Sequence, residues 1–284
     1  MELIAATAPF PVRFAAYIRE RFPPQAHLPL IALFFASATQ VSRATSVEAG
    51  RVPWVAFGVL ALAFFHLRVF DELKDHEEDR VAHPERLLSR GVIRLGDLAV
   101  AGTVAIAVEA LLAATLGAAA LAAWCAAFAF SLLMRFEFGA PRVLRRRPVL
   151  YAVVHNPVVA LLATFCAVAA TPALDRDFAW YIATVSTAAF VFELGRRSAR
   201  YEDSAGRYGF QALWVGAQLA SVGFLAGLLL HLPVGEREPF VACASLAPLA
   251  IAAWLSRRRE AAGASFLAAA LAIAAIASSV GGAA

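Results

Sequence analysis

Residues 69–80 read VFDELKDHEEDR, and six carboxylates fall within nine positions: Asp71, Glu72, Asp75, Glu77, Glu78 and Asp79. Only Lys74 offsets them inside that window. Like charges three or four residues apart on a helix repel one another. An α-helix turns about 100° per residue, so positions four apart drift by about 40°. Asp71, Asp75 and Asp79 therefore share one flank, with Glu72 on the same side. Hard divalent cations take oxygen ligands, and Mg²⁺ commonly uses one or two carboxylates plus substrate phosphates while keeping waters. The run reads as a holder of Mg²⁺ against an anionic, phosphorylated ligand. The plain alternative is a solvated charged loop. Regular spacing at the end of an apolar run weighs against it.

A second acidic group follows a later apolar run, in AFVFELGRRSARYEDSAG. Glu193 stands at its end, and Glu202 and Asp203 follow nine and ten residues on. Arg196, Arg197 and Arg200 are interleaved with them, and guanidinium groups suit phosphate oxygens by bidentate contact. VFDEL at 69–73 and VFEL at 191–194 echo each other weakly. Arg68, three before Asp71, is placed to pair with the acids, to contact phosphate or simply to snorkel to the interface. Tyr151 and His155 are four apart and share a face, and Asn156 precedes Pro157 at an expected kink. Ionisable residues inside spans usually face the bundle interior or a cavity, so His155 and Asn156 are placed on a pocket wall or in interhelical hydrogen bonds. Glu109, a lone acid in an apolar run, reads as an interhelical partner.

The elements that position these groups are apolar. The chain has 284 residues, 61% hydrophobic and 16% charged, where soluble domains carry about a quarter charged. The net charge of +4 does not point to nucleic acid, because the basic residues sit in short loops rather than on one face. A bilayer crossing needs about 20 mostly apolar residues. Spans are expected near 27–42, 52–71, 97–116, 119–136, 149–170, 178–195, 209–231, 239–256 and 262–281. With the N-terminus inside, inner loops carry 20 basic residues and outer loops 4, the positive-inside bias. The expected architecture is a single all-α domain over 1–284, a nine-helix membrane bundle with its N-terminus cytoplasmic and its C-terminus outside. Residues 1–26 form an amphipathic lead-in on the membrane surface, and the inner loops at about 71–96 and 193–208 carry both acidic groups. The start of the chain reads as lacking a cleavable signal. Cys125, Cys166 and Cys243 lie in apolar runs and fit neither a metal site nor a disulfide framework.

Both acidic ends together resemble the UbiA superfamily of intramembrane prenyltransferases, which have nine spans and Asp-rich motifs after the second and sixth. DELKDHEED matches the first motif, with Asp71 in its Asn place, Glu72 in the first Asp place, then Asp75 and Asp79. HPERLLSRGVI continues it, with Arg86, Leu88 and Gly91 in partial agreement. The second motif departs: Glu193 is followed by Arg197 and Tyr201 at the acidic spacings, with Glu202 and Asp203 just beyond.

The resemblance implies an allylic polyprenyl diphosphate donor and a hydrophobic acceptor, aromatic or lipid, in the bilayer of a bacterial cytoplasmic membrane. The active site would face the cytoplasm. It also implies Mg²⁺ held by Asp71, Asp75 and Asp79 on one side and by Glu193 with Glu202 or Asp203 on the other. Lys74, Arg86, Arg135 and Arg197 would add positive charge for the leaving diphosphate. No nucleic-acid partner is expected, and the sequence points to no particular protein partner. The rivals are a transporter of a divalent cation or phosphorylated solute, and an inactive isoprenoid-binding relative. Acids gathered at one membrane face rather than at midplane disfavour the transporter.

Overall fold

The computed structural model describes residues 6–44, 52–171, 174–197, 207–231 and 267–274. Among these residues the chain is helical, without strands. A short lead-in helix α1 (Phe10–Arg21) precedes α2 (Pro24–Ala44), α3 (Trp54–Ala82), α4 (Leu95–Thr115) and α5 (Ala118–Arg135). A 3₁₀ turn (Glu137–Gly139) and α6 (Pro141–Arg145) lead to α7 (Pro148–His155) and α8 (Pro157–Ala170). Then come α9 (Phe178–Arg197), α10 (Arg207–His231) and a helical stretch over 267–274.

Six described helical segments are long and apolar enough to cross a membrane: α3, α4, α5, the α7–α8 pair, and most of α9 and α10. The expected first span, 27–42, is helical inside α2, which is not among those six. The expected eighth span, 239–256, lies outside the described residues. Of the ninth, 262–281, only 267–274 is described, as helix. The molecule is an integral membrane protein with an all-helical bundle.

Lipid takes the place of water on the outer faces. On α4, Val100, Val104, Val108 and Leu111 recur three or four apart and are 66%, 57%, 39% and 71% exposed. The inner faces are rich in small residues, including Ala56, Ala63, Ala105, Ala113, Ala120, Ala127, Ala163 and Ala167. In a bilayer, helices associate through close packing and interhelical hydrogen bonds, so small residues gather where backbones approach. The main pairings are α9 with α10, α3 with α4, α5 with α8 and α2 with α8.

Two features of α3 matter for the site. It has 29 residues, about 43 Å at 1.5 Å per residue, against a hydrocarbon thickness of about 30 Å. Its apolar part ends at Phe70, and the acidic run from Asp71 to Asp79 is a polar extension of the same helix. The acids thus stay on one helix rather than in a loop. The segment after α3 turns back through Gly91, whose φ of 70° suits glycine, into α4. Asp97 at the third position of α4 accepts from the Arg94 backbone N–H at 3.1 Å and caps the helix start.

The expected kink at Asn156–Pro157 is a helix break. Pro157 opens α8 at the position where its missing N–H costs nothing. Asn156 Nδ2 donates to the Ser186 carbonyl of α9 at 3.0 Å, so the side chain at the break ties α7 to α9.

Candidate active site at the acidic end of α3

Five of the six carboxylates of the run, Asp71, Glu72, Asp75, Glu78 and Asp79, stand against described cations, several of them shared and drawn from other elements. Glu72 is 2% exposed, and Arg21 Nε from α1 and Arg68 Nη2 each donate to its Oε1 at 2.6 Å. Asp79 accepts from Arg86 Nη1 at 2.6 Å, with Arg21 Nη2 at 3.7 Å. Lys74, whose side chain is 6% exposed, donates to Asp71 Oδ1 at 3.0 Å and stands 4.0 Å from Asp75 Oδ2. Arg145 of α6 reaches Glu78 and lies 3.9 Å from Asp75 Oδ1. Arginines more than fifty residues away in sequence therefore relieve the repulsion expected within the run.

Lys74 is also held from the other side. It donates to Tyr151 Oη of α7 at 2.8 Å, and its ammonium stands 5.5 Å from the Tyr151 ring centroid. The Tyr151 and His155 rings stack with centroids 3.7 Å apart and a 6° tilt, and Phe138 meets His155 edge-on at 5.4 Å. His155 Nδ1 bonds the Tyr151 carbonyl at 2.8 Å. Aromatic rings and an ammonium thus form one wall beside Asp71 and Asp75.

Arg145 completes that wall. Its Nε donates to both oxygens of Glu137, at 3.2 and 3.0 Å, and Glu137 is 3% exposed. Glu137 and Phe138 have φ of 48° and 52°, and Gly139 follows at 70°. Two non-glycine residues in the left-handed region cost on the order of 1–3 kcal/mol each and persist only where surroundings over-determine them. The doubly bonded, buried Glu137 carboxylate is that restraint.

The electrostatics follow from this packing. Burial pushes the Asp75 carboxyl above its usual range, opposed by Lys74 and Arg145 and reinforced by Asp71 and Asp79. Burial also raises Glu137, with Lys74 opposing and Asp75 adding to the shift. Burial alone would lower Lys74, but Asp71, the Tyr151 hydroxyl and Asp75 outweigh it and hold the ammonium above the ordinary lysine value. Lys74 is therefore a fixed positive charge.

The expected site residues fall into three groups. Asp71, Asp75, Lys74 and, through Arg145, Glu78 gather on one side of the α3 extension, facing Tyr151. Glu72, Arg68, Asp79 and Arg86 gather around Arg21 toward α1. Glu193 lies half-buried on α9. α9 packs on α7, so α7 connects it to Lys74 through Tyr151 and Asn156. The Arg197 side chain and residues Glu202 and Asp203 lie outside the described residues. Arg135 places its guanidinium 5.7 Å from the centroid of the neighbouring Phe136 ring; within the stretch between α5 and α7 it is Arg145 that is seen to reach the acids. Arg145 carried no sequence signal beyond loop charge, because RVLRRRP reads equally well as an inner basic loop, and Arg21 read only as part of the amphipathic lead-in.

Asp71 and Asp75 fit a divalent cation with an anionic ligand. Their side chains are 51% and 37% exposed, they are one helical turn apart, and only Lys74 stands between them. Among the described residues no three His, Cys, Asp or Glu side chains converge closely enough to hold a metal by themselves. A bound anion must supply further oxygens, which matches the habit of Mg²⁺. Glu72 does not fit, since two guanidinium groups occupy it inside the protein.

No protein-family profile matches the sequence, and neither does any curated protein. Solved structures do. A UbiA homologue from Aeropyrum pernix K1, solved in its apo form, superposes with a TM-score of 0.67 over 90% of this chain and 97% of its own, at 17% identity. A structure titled for the biosynthesis of digeranylgeranylglyceryl phosphate synthase in membranes gives 0.61 over 95% and 98%, at 14% identity. The likeness shows that this chain has their fold.

Proposed function

We propose that the protein is a membrane prenyltransferase that moves a polyprenyl group from an allylic diphosphate to a small aromatic or lipid acceptor. The carrying observation is the cluster at the end of α3. Two half-exposed carboxylates, Asp71 and Asp75, stand beside a buried, fixed ammonium and an aromatic wall, in a fold shared with prenyltransferases. The positive-inside bias places this end at the cytoplasm.

Asp71 and Asp75 would hold Mg²⁺ together with diphosphate oxygens, with Glu193 and Asp203 as candidates for the facing side. When bound, Mg²⁺ acts as a Lewis acid on the diphosphate. Lys74, fixed between Asp71 and Tyr151, presents positive charge where the leaving diphosphate would gain negative charge, and preorganised charge of this kind costs no reorganisation during reaction. Arg145 is the second such cation, able to exchange Asp75 and Glu78 for phosphate oxygens at the same place. The Tyr151, His155 and Phe138 rings exclude water from that side of the reacting carbon.

The test is incubation of purified protein with labelled geranylgeranyl and farnesyl diphosphate, Mg²⁺ and an acceptor panel, with pyrophosphate and product measured. Asp75→Asn is expected to lose at least about 100-fold in rate. An equally active variant would remove the metal role.

One observation favours a second reading. Internal cations already counter five of the six acids of the α3 run, Asp71, Glu72, Asp75, Glu78 and Asp79. An inactive relative that binds the isoprenoid lipid alone would show diphosphate-independent lipid binding and no pyrophosphate release.

A further inference from the structure

The bundle contains a second polar cluster that the acidic site does not use. His66 of α3, Glu109 of α4, and Trp124 and Ser131 of α5 are 3%, 0%, 8% and 1% exposed. His66 Nδ1 lies 2.7 Å from Glu109 Oε1, and its Nε2 lies 3.2 Å from Ser131 Oγ. Trp124 Nε1 donates to Glu109 Oε2 at 3.0 Å, and Ser131 Oγ donates to the Phe128 carbonyl at 2.7 Å. The hydrogen accounting closes. Ser131 spends its proton on Phe128, so it accepts from His66 Nε2–H. One proton then lies between Nδ1 and Glu109, and the pair is net neutral in either order.

The order Ser131–His66–Glu109 is that of a nucleophile, a base and its orienter. Two facts set acyl transfer aside. The serine proton is directed at a carbonyl, and the void beside the cluster is about 10 Å³, room for about one water. What the cluster does is join three helices at one level.

We infer that this network is a rotational lock on α3 that aims Asp71 and Asp75. At about 100° per residue, Asp71, Asp75 and Asp79 sit about 140°, 180° and 220° around the helix from His66. Fixing His66 against α4 and α5 therefore turns the acids to the opposite face. A slip of one residue would take His66 from its partners and swing the acids by about 100°. The interface beside the lock is close-fitting. A Cβ on Gly102 of α4 would stand 2.9 Å from Val69 Cγ1 of α3. Gly102 and Glu109 are seven apart, on the same face of α4. His66, Glu109, Trp124 and Ser131 are positioning residues, acting through the α3 backbone. The importance of aiming the acids rests on the function proposed above.

The test uses the full chain in nanodiscs, without native cysteines, spin-labelled at the exposed positions Glu77 and Arg146. In the parent the pair distance is expected to be single and narrow. In His66→Leu it is expected to broaden or shift by about 4 Å, the arc of a Cα when the helix turns by one residue. Glu109→Gln can donate to Nδ1 and accept from Trp124, so it should retain the parent distribution. Gly102→Val leaves every polar group in place, yet should disturb the distance as His66→Leu does; it serves if His66→Leu does not fold. Binding of Mn²⁺ with geranylgeranyl diphosphate is expected to weaken at least about tenfold in the disturbed variants and to stay at the parent level in Glu109→Gln. Parent-like distances in His66→Leu or in Gly102→Val would overturn the lock, as would a Glu109→Gln variant disturbed like them. A parent that binds no diphosphate would sink the proposed function alone, since the distances judge the lock independently.

Discussion

At the scale of single residues, the structure separates acids that look alike in sequence. Glu72 is a buried bridge between Arg21 and Arg68, whereas Asp71 and Asp75 remain half-exposed beside Lys74. Removing one partner of a buried pair strands the other, at about 3–5 kcal/mol. Glu72→Ala is expected to lower stability by about 3 kcal/mol, read by thermal unfolding in detergent, with Glu72→Gln costing less. A Glu72→Ala variant as stable as the parent would refute the bridge. Lys74→Met should weaken diphosphate binding by about 10- to 100-fold, and Tyr151→Phe by less, since hydrogen bonds to charged groups contribute about 1.5–3 kcal/mol. Glu20 supplies a pH test. Its carboxylate accepts from the Leu87 N–H at 3.1 Å, yet burial raises its pKa above the usual value. A raised acid stabilises the fold below its unfolded pKa and loses that contribution as pH rises through the folded one. Glu20→Gln, which keeps an acceptor oxygen, should therefore be at least as stable as the parent at pH 7. Its advantage should vanish on acidification below the ordinary glutamate pKa. A variant less stable at pH 7 with no pH-dependent difference would contradict this.

At the scale of elements, the decisive property of α3 is length. Its apolar part spans the bilayer and the remainder carries the acids outward on a rigid helix. The acids therefore keep the spacing that the sequence gives them, and α1, α6 and α7 are the elements that answer them. On the other side of the bundle, α9 and α10 meet at Gly227, where an added Cβ would stand 2.6 Å from the Trp180 ring. Gly227→Ala is expected to cost about 1–3 kcal/mol by overpacking, and Trp180→Leu in the same chain should recover most of it. No recovery in the double variant would show that the strain lies elsewhere.

At the scale of the whole molecule, the bundle shares its course with both solved structures despite 17% and 14% identity. Fold persists at such distances because a bilayer demands only apolar length, internally bonded backbone and small residues at helix contacts. The proposed orientation is testable in cells. In a background without native cysteines, Asp175→Cys should react with an impermeant maleimide in intact cells, and Glu77→Cys only after permeabilisation. The reverse pattern would invert the topology.

The sequence by itself determined where the described apolar helices run, the break at Pro157 and the shared flank of Asp71 and Asp75, whereas Asp79, expected beside them, turns to Arg86 and Arg21. Hydropathy, proline chemistry and helical period are local properties, readable along one strand of text. Only the tertiary structure decided which cation meets which acid. Arg21 and Arg145 became partners of Glu72 and Asp75 because α1 and α6 fold back onto α3. Glu109, a solitary acid in sequence, found His66 because α3 and α4 pack antiparallel at one depth. Such pairings depend on the rotation and register of helices against each other, set by interhelical close packing rather than by neighbours in the chain.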